Sequence, residues 1–243
     1  MQNNFVFVTP AFNCEKDIVQ TIKSVYSQSY DNWRMVVYDD MSTDGTAQVV
    51  EDMSKKLGLG SRLSVVSRTE KHGEVRNTLD AVSNIDENEI VCRLDGGDWL
   101  TENDGLFYLN HVYQNEKISV AWTAHRWAYS GNNISGPLKE NISVYDQPWV
   151  SSHLKTFRRS SFNDINEKNF KDDDGNYIMI ACDQAIFLPM IHKEQLVGQK
   201  CVFVPLLMYH YSIDINNPEL FKTERAYRQK HSAEWIRARG YIE

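Results

Sequence analysis

Two pairs of carboxylates pose the first chemical question about this chain. Asp39-Asp40 closes the run Trp33–Tyr38, and Asp95 with Asp98 follows the run Ile90–Leu94. Acids delivered to neighbouring strand ends repel one another unless a cation or a hydrogen-bond donor lies between them. A divalent metal meets that demand when one or two carboxylates hold it together with the phosphate oxygens of a ligand. The simpler alternative is that such acids cap the next helix, as Asp39 or Ser42 would for a helix starting near Thr46. Asp183, ahead of an apolar stretch, stands where a helix cap would stand. Four cationic or titratable side chains, His153, Lys155, Arg158 and Arg159, fall within seven residues containing no acid. That segment is read either as a phosphate- or acceptor-contacting stretch or as a solvated face. His210, between Tyr209 and Tyr211, reads by its neighbours as a histidine packed among tyrosines.

The elements that must position these residues alternate. Phe5–Thr9 is a short, nearly all-apolar run of the kind a buried parallel strand shows, ending at Pro10. Ile18, Ile22 and Val25 form a helical stripe, Trp33–Tyr38 a second strand, and Ala47, Val50, Met53 and Leu57 a second helix closed by Gly58. Leu63–Val66, the helical Val75, Leu79 and Val82, and the strand Ile90–Leu94 continue the pattern. Alternation of this kind predicts an α/β protein with right-handed crossovers and a mainly parallel sheet. Ligands bind beyond the carboxyl ends of such strands, where Thr9-Pro10-Ala11, Asp39-Asp40 and Asp95–Asp98 lie. Later, Val120–Tyr129 and Cys201–Leu207 read as strands, Ile180–Met190 and Pro218–Arg239 as helices, and Lys171–Asn176 as an acidic loop.

Composition narrows the class. The chain has 243 residues, 26 basic against 33 acidic for a net charge of −7, and 42% hydrophobic residues. It is large enough for one sizeable domain and too apolar to be disordered. A surface that coats nucleic acid or an anionic membrane throughout is disfavoured. The four cysteines have no CxxC spacing and are expected as reduced, mostly buried thiols. No window approaches 18 apolar residues and no secretory leader precedes Phe5, so the expectation is a soluble, cytoplasmic protein without an integral membrane segment.

The stretch Val36–Thr46, an apolar strand running into Asp39-Asp40-Met41-Ser42-Thr43-Asp44-Gly45-Thr46, resembles the nucleotide-binding signature of the family-2 glycosyltransferases. Thr9-Pro10-Ala11-Phe12-Asn13 is similar to that family's opening segment. Gly73 with Arg76-Asn77, and Arg93–Leu100 around Asp95-Gly96-Gly97-Asp98, are similar to its arginine-asparagine helix and its DXD-type metal segment. These blocks cover residues 5–100 in the family's order. The resemblance implies a GT-A fold, with a nucleotide-sugar-binding half at 1–100, an acceptor and catalytic half at 101–217 and a basic C-terminal helix at 218–243, all one domain. By the same resemblance, Thr9, Pro10 and Ala11 line the nucleoside pocket, and Asp40 accepts from the uracil N3–H. Asp39 holds the turn or the ribose, Arg76 sits near the base or diphosphate, and Asp95 contacts the ribose. Asp98 binds Mn²⁺ or Mg²⁺, with His210 as a further ligand. Gly97 stands where most members carry a third acid, which predicts weaker metal binding. Ala181–Phe187 resembles the segment holding the catalytic carboxylate, which makes Asp183 the base that deprotonates the acceptor. Cys182 replaces the usual Glu, and Asp173 and Asp174 are the runner-up bases. The donor implied is a UDP-sugar and the reaction an inverting transfer.

For the acceptor, His153, Lys155 and Arg158 are the candidate contacts. Lys222–Arg239 carries six basic residues against Glu224 and Glu234, the pattern of a solvated helix or of a membrane or nucleic-acid contact. Pro148-Trp149, His153–Phe157, Asp173–Asn176 and Asp183-Gln184-Ala185 resemble small members of the family from tailed phages and other large DNA viruses. That likeness favours a hydroxymethylated DNA base as acceptor only slightly over a saccharide or lipid-linked glycan of surface polysaccharide. A uridylyltransferase or a dinucleotide-dependent oxidoreductase would need a Gly-rich loop after the first strand, and Thr9–Asn13 has none. The non-enzymatic alternative is a family member that binds nucleotide or glycan without turnover, prompted by Gly97 and Cys182.

Overall fold

The computed structural model describes residues 2–128, 130–214 and 222–243. Eight strands form one sheet: β1 (Phe5–Ala11), β2 (Trp33–Asp39), β3 (Leu63–Ser67), β4 (Ile90–Arg93), β5 (Trp99–Leu100), β6 (Ile118–Ala128), β7 (Lys155–Arg158) and β8 (Lys200–Asp214). Six α-helices join them: α1 (Ile18–Tyr26), α2 (Thr46–Leu57), α3 (Gly73–Ser83), α4 (Gly105–Val112), α5 (Cys182–Leu196) and α6 (Glu224–Arg239). The sheet order is β3-β2-β1-β4-β7-β6-β8-β5. β1, β2, β3 and β4 are mutually parallel, as the alternation of the first hundred residues requires. β7 is antiparallel to both β4 and β6, β6 and β8 are parallel, and β5 is antiparallel to β8.

Strand β1 shows why the run is apolar on both sides. Phe5 and Phe7 enter the core beneath α1, α2 and α4, while Val6 and Val8 enter the core beneath α3 and α5. All four are essentially inaccessible, and each contributes about 1.5–3 kcal/mol relative to exposure. The amphipathic stripe of α1 places Ile18, Ile22 and Val25 in the first core, and α3 delivers Val75 and Val82 to the second.

The second half departs from expectation at its strands. Lys155–Arg158 is a central strand rather than an open cationic stretch, because alternation puts the apolar Phe157 into one core and Thr156 into a buried bond with Tyr113. β8 extends from Lys200 to Asp214, so Tyr209-His210-Tyr211 is strand rather than post-strand loop. The final helix runs from Glu224, with Thr223 Oγ1 accepting from Ala226 N–H as its cap; the expected start near Pro218 and the end of the expected strand at Tyr129 lie outside the described residues. All four cysteines are free thiols; Cys14, Cys92 and Cys182 are buried, and Cys201 is partly so. No helix among the described residues is long and apolar enough to cross a membrane.

Candidate active site

At the carboxyl ends of β1, β2 and β4 the chain opens into a cleft of about 600 Å³, whose walls include Pro10, Ala11, Asp40, Asp95 and Asp98. A second cavity of about 250 Å³ adjoins it and is lined by His125, Trp127, Trp149, His153 and Asp183 among others. Glu74, Asp95, Met179, Tyr211 and Arg225 belong to both. Parallel strands place the first cleft, and the antiparallel return through β7 and the long β8 builds the second against it.

Asp40 is first of all a helix cap. Its Oδ1 accepts from His72 N–H at 2.8 Å and Asn77 Nδ2 at 2.9 Å, and its Oδ2 accepts from Gly73 N–H at 3.0 Å. These donors satisfy the amino end of α3, and the residue, 6% exposed, still lines the first cleft. Gly73 is required there: its φ is +75°, and a Cβ would strike the Met179 side chain. Asp39 holds the turn, accepting from Ser42 N–H at 3.2 Å. Pro10 and Ala11 line the cleft, followed by Phe12, over whose ring Lys71 Nζ sits at 3.3 Å. Thr9 does not reach it: the residue is fully buried, and its Oγ1 has no hydrogen-bond partner. Arg76 is likewise outside the cleft lining, on the outer face of α3, 3.8 Å from Glu70 and stacked near Tyr177.

The acids after β4 are held from two sides. Asp98, 3% exposed, accepts from Tyr209 O–H at 2.6 Å and from Ser212 N–H at 2.9 Å. Burial, and next the Asp95 charge, push its carboxyl up to about 7, against the two hydrogen bonds. Asp95 pairs with Arg93 at 3.2 Å, and burial raises it too. Both carboxylates line the cleft as hard oxygen donors, and the Asp95 charge raises the cost of ionising Asp98. That donor set fits a divalent cation sharing oxygens with a diphosphate. His210 does not join it. It projects from the opposite face of β8 to Tyr209, stacks on Trp99 at 3.9 Å, and its Nδ1 accepts from Arg126 Nε at 3.0 Å. A ring nitrogen facing a guanidinium is an unsuitable ligand for any cation held at Asp98. No group of three or more His, Cys, Asp or Glu poised for a metal occurs among the described residues. Gly97, in place of a third acid, has φ +106°, and its N–H donates to Thr21 Oγ1 at 3.1 Å; the backbone there favours glycine.

In the second cavity, Asp183 opens the first turn of α5 and pairs with Lys155 Nζ at 2.9 Å. Burial raises the carboxyl, but Lys155, His153 and Arg93 outweigh it, and the group lies well below the ordinary carboxylate range. His153 Nε2 is 3.8 Å from the other Asp183 oxygen. The His153 ring stacks on Tyr209 at 4.6 Å and on Tyr211 at 5.1 Å. Burial and the Lys155 charge keep His153 neutral, its pKa well below the usual value. Lys155, 2% exposed, is committed to Asp183 and His153 and is not among the cavity-lining side chains. Arg158 does not contact an acceptor either: it donates to the carbonyls of Ile118 and Tyr113 at 2.9 and 2.7 Å. On the basic helix α6, Arg237 and Arg239 turn inward to carbonyls, including Gln147 O at 2.7 Å and Asn169 O at 2.8 Å. Asp173 and Asp174 lie in the exposed acidic loop and line neither cavity.

Sequence reasoning passed over Glu74 and most of the aromatic walls, took Arg93 only as part of a motif, and took Arg225 only as one charge of the basic C-terminal helix. Arg93 had a signal: a charge inside the otherwise apolar β4 requires buried partners. Its Nη2 lies 3.2 Å from both Glu74 and Asp95.

A twisted α/β sheet with a nucleotide-type cleft at its parallel strand ends, and a second cavity walled by antiparallel additions, defines a GT-A fold. The chain belongs to glycosyl transferase family 2, whose model matches residues 6–166. Among solved structures it is similar to S. aureus TarS 1-349 in complex with UDP, with a TM-score of 0.68 and 18% identity over 99% of this chain and 67% of that one. It is also similar to the mannosyltransferase PcManGT of Pyrobaculum calidifontis in complex with GDP-Man and Mn²⁺, with a TM-score of 0.60 and 14% identity over 97% and 70% of the two chains. A putative teichuronic acid biosynthesis glycosyltransferase, TuaG of Bacillus subtilis, is 36% identical over 66 residues, 27% of this chain and 25% of that protein. The putative glycosyltransferase EpsE of the same organism is 45% identical over 40 residues, 16% of this chain and 14% of that protein.

Proposed function

We propose that this protein is an inverting glycosyltransferase that moves a sugar from a nucleotide-sugar donor to a saccharide hydroxyl. The observation that carries the reading is the shared wall: a nucleotide-type cleft holding Asp95 and Asp98 meets a cavity holding Asp183. Two substrates seated in these spaces are brought together at one point, which is what group transfer needs.

In the donor cleft, Pro10, Ala11 and Phe12 seat the nucleobase, with Asp40 Oδ2 as the acceptor at its edge. Uridine is the base favoured, in line with the UDP and UDP-GlcNAc bound by TarS, and the GDP-Man and Mn²⁺ of PcManGT keep guanosine as the alternative. Asp98 and Asp95 would hold Mn²⁺ or Mg²⁺, which when bound neutralises charge developing on the diphosphate. Asp183 takes the proton of the acceptor hydroxyl. The oxygen then forms its bond to the anomeric carbon while the carbon–phosphate-oxygen bond breaks, and the electron pair leaves on the nucleoside diphosphate. Lys155 fixes one Asp183 oxygen, leaving Oδ2 for the proton. A weak base suffices, because the acceptor hydroxyl becomes acidic as it bonds to a cationic, oxocarbenium-like carbon.

The acceptor cavity favours a saccharide over DNA. Its walls offer Trp127, Trp149, Tyr211 and two neutral histidines beside Glu74, Asp95 and Asp183, a surface that stacks on sugar faces and repels phosphates. Two of the six basic residues counted on the C-terminal helix are consumed by internal carbonyls, which weakens the nucleic-acid reading. The teichuronic acid assignment of TuaG is consistent with a glycan acceptor for this chain. The test is transfer from radiolabelled UDP-sugars to oligosaccharides and to hydroxymethylated duplex DNA, with Asp183→Asn as control. Label on saccharide alone, lost in Asp183→Asn while UDP binding by calorimetry persists, supports the reading. Label on DNA overturns the acceptor assignment, and a fully active Asp183→Asn overturns the base.

A further inference from the structure

Glu74 occupies the junction of the two cavities, and the reaction outlined above leaves it unassigned. It is the second residue of α3, so its backbone is fixed by the hydrogen bonds that Asp40 makes to His72, Gly73 and Asn77. Its Oε2 lies 3.2 Å from Nη2 of Arg93, a side chain 2% exposed whose Nε and Nη1 have no hydrogen-bond partner. No hydrogen bond to Glu74 Oε1 occurs among the described residues, and the side chain is 45% exposed, facing both cavities. The result is a carboxylate held at one oxygen by a rigid guanidinium and open at the other. With a nucleotide in one cavity and an acceptor in the other, the ring being transferred lies at this junction.

We propose that Glu74 is a specificity-determining residue: it accepts hydrogen bonds from the hydroxyls of the transferred sugar and rejects donors whose sugar carries a carboxylate. The inference rests on the glycosyltransferase reading. A carboxylate with a free oxygen is a strong acceptor for sugar hydroxyls. A uronate carboxylate in the same space meets Glu74 and Asp95, two acids against the single exposed cation of the shared wall, Arg225. Such juxtaposition of like charges selects by repulsion as much as neutral sugars are selected by attraction.

The experiment is calorimetric binding in Mn²⁺ at pH 8.5, where Glu74 is ionised, of UDP, UDP-glucose, UDP-N-acetylglucosamine and UDP-glucuronate to wild type, Glu74→Gln and Glu74→Ala. GDP, GDP-mannose and GDP-mannuronate form a parallel series. Wild type is expected to favour its best neutral donor over the matching uronate by at least tenfold. Glu74→Gln keeps the side-chain size and an acceptor atom, and the preference should narrow to within about threefold. In Glu74→Ala the affinity of the neutral donor relative to its free nucleoside diphosphate should fall about tenfold, the loss of one charge-assisted hydrogen bond. A wild type that binds uronate and neutral donors equally overturns the proposal. So does a variant in which nucleoside diphosphate and nucleotide-sugar weaken in parallel, since that is the mark of Glu74 serving only as Arg93's partner. Wild type that binds neither UDP nor GDP overturns the donor reading itself, and this inference with it.

Discussion

Lys155 Nζ lies 2.9 Å from Asp183 Oδ1, joining the central strand β7 to the first turn of α5. The lysine is 2% exposed and the aspartate 29%, so the pair is largely removed from water. Asp183 at a helix amino terminus is favoured by the helix dipole as well, and Asp183 is the one acid in ion-pair contact with Lys155 among the described residues. The pair therefore orients the carboxylate toward the second cavity and lowers its basicity together.

Removing one partner should expose both effects. Lys155→Met leaves Asp183 partly buried without its counter-ion, and unfolding in urea is expected to show a loss of about 3 kcal/mol. The acid limb of the transfer rate against pH should move upward, because the Asp183 carboxyl rises when its main stabilising charge is gone. An unchanged acid limb would separate Asp183 from the proton transfer.

His125 makes a pH-dependent contribution with a definite sign. Its Nε2 accepts from Trp127 Nε1 at 2.8 Å and its Nδ1 faces Ser135 Oγ at 3.0 Å, so the ring is held neutral. Burial, then Lys155, lower its pKa to about 4. Above the unfolded value near 6.5 neither state binds the proton; between 6.5 and 4 only the unfolded state does, and stability falls as pH falls. Glu74 and Asp98, raised to about 7, act oppositely over part of that range, so the clean readout is a difference between proteins. The stability of His125→Gln relative to wild type should rise by about 2 kcal/mol between pH 8 and pH 5. Denaturant melts at the two pH values measure it.

The first hundred residues were legible because β1 and β4 are buried on both faces and read as nearly continuous apolar runs, as does β2 apart from Arg34, each ending in a polar turn. That reading brings Asp40, Asp95 and Asp98 to the wall of one cleft. It did not place His210 or Arg158, for one reason: a strand sends alternate side chains to opposite faces, and chain position alone does not say which face opens on the cleft. The Lys155–Asp183 pair was hidden because its members are 28 residues apart and only the antiparallel insertion of β7 beside β4 brings them together. Glu74 lay inside the motif formed by Gly73, Arg76 and Asn77, but which side of α3 faces the junction is settled by the Asp40 cap.

That cap should matter for both stability and donor binding. Asp40→Ala removes the acceptor for His72 N–H, Gly73 N–H and Asn77 Nδ2, and a loss of about 1–2 kcal/mol is expected by denaturant unfolding. Asp40→Asn keeps an acceptor oxygen and should recover most of that stability. If Asp40 Oδ2 also reads the base edge, Asp40→Asn should bind UDP at least fivefold more weakly than wild type despite its recovered fold; equal affinity would confine Asp40 to capping.

Gly97 offers the converse experiment, adding an acid instead of removing one. Most members of the family carry an acid at this position, which predicts that Gly97→Asp tightens the metal. The backbone predicts otherwise. At φ +106° any side chain is strained, at a cost of about 1–3 kcal/mol, and the Gly97 N–H bond to Thr21 Oγ1 ties this conformation to α1. Gly97→Ala should therefore destabilise the fold about as much as Gly97→Asp, and neither should tighten Mn²⁺-dependent UDP binding. Asp98→Ala, by contrast, should abolish the Mn²⁺ dependence of that binding, because Asp98 is the carboxylate anchored by Tyr209 and Ser212 in the cleft itself. Calorimetry with and without EDTA distinguishes these cases. Tighter Mn²⁺-dependent binding by Gly97→Asp would mean that the turn relaxes and that the missing acid, rather than the backbone, limits the metal.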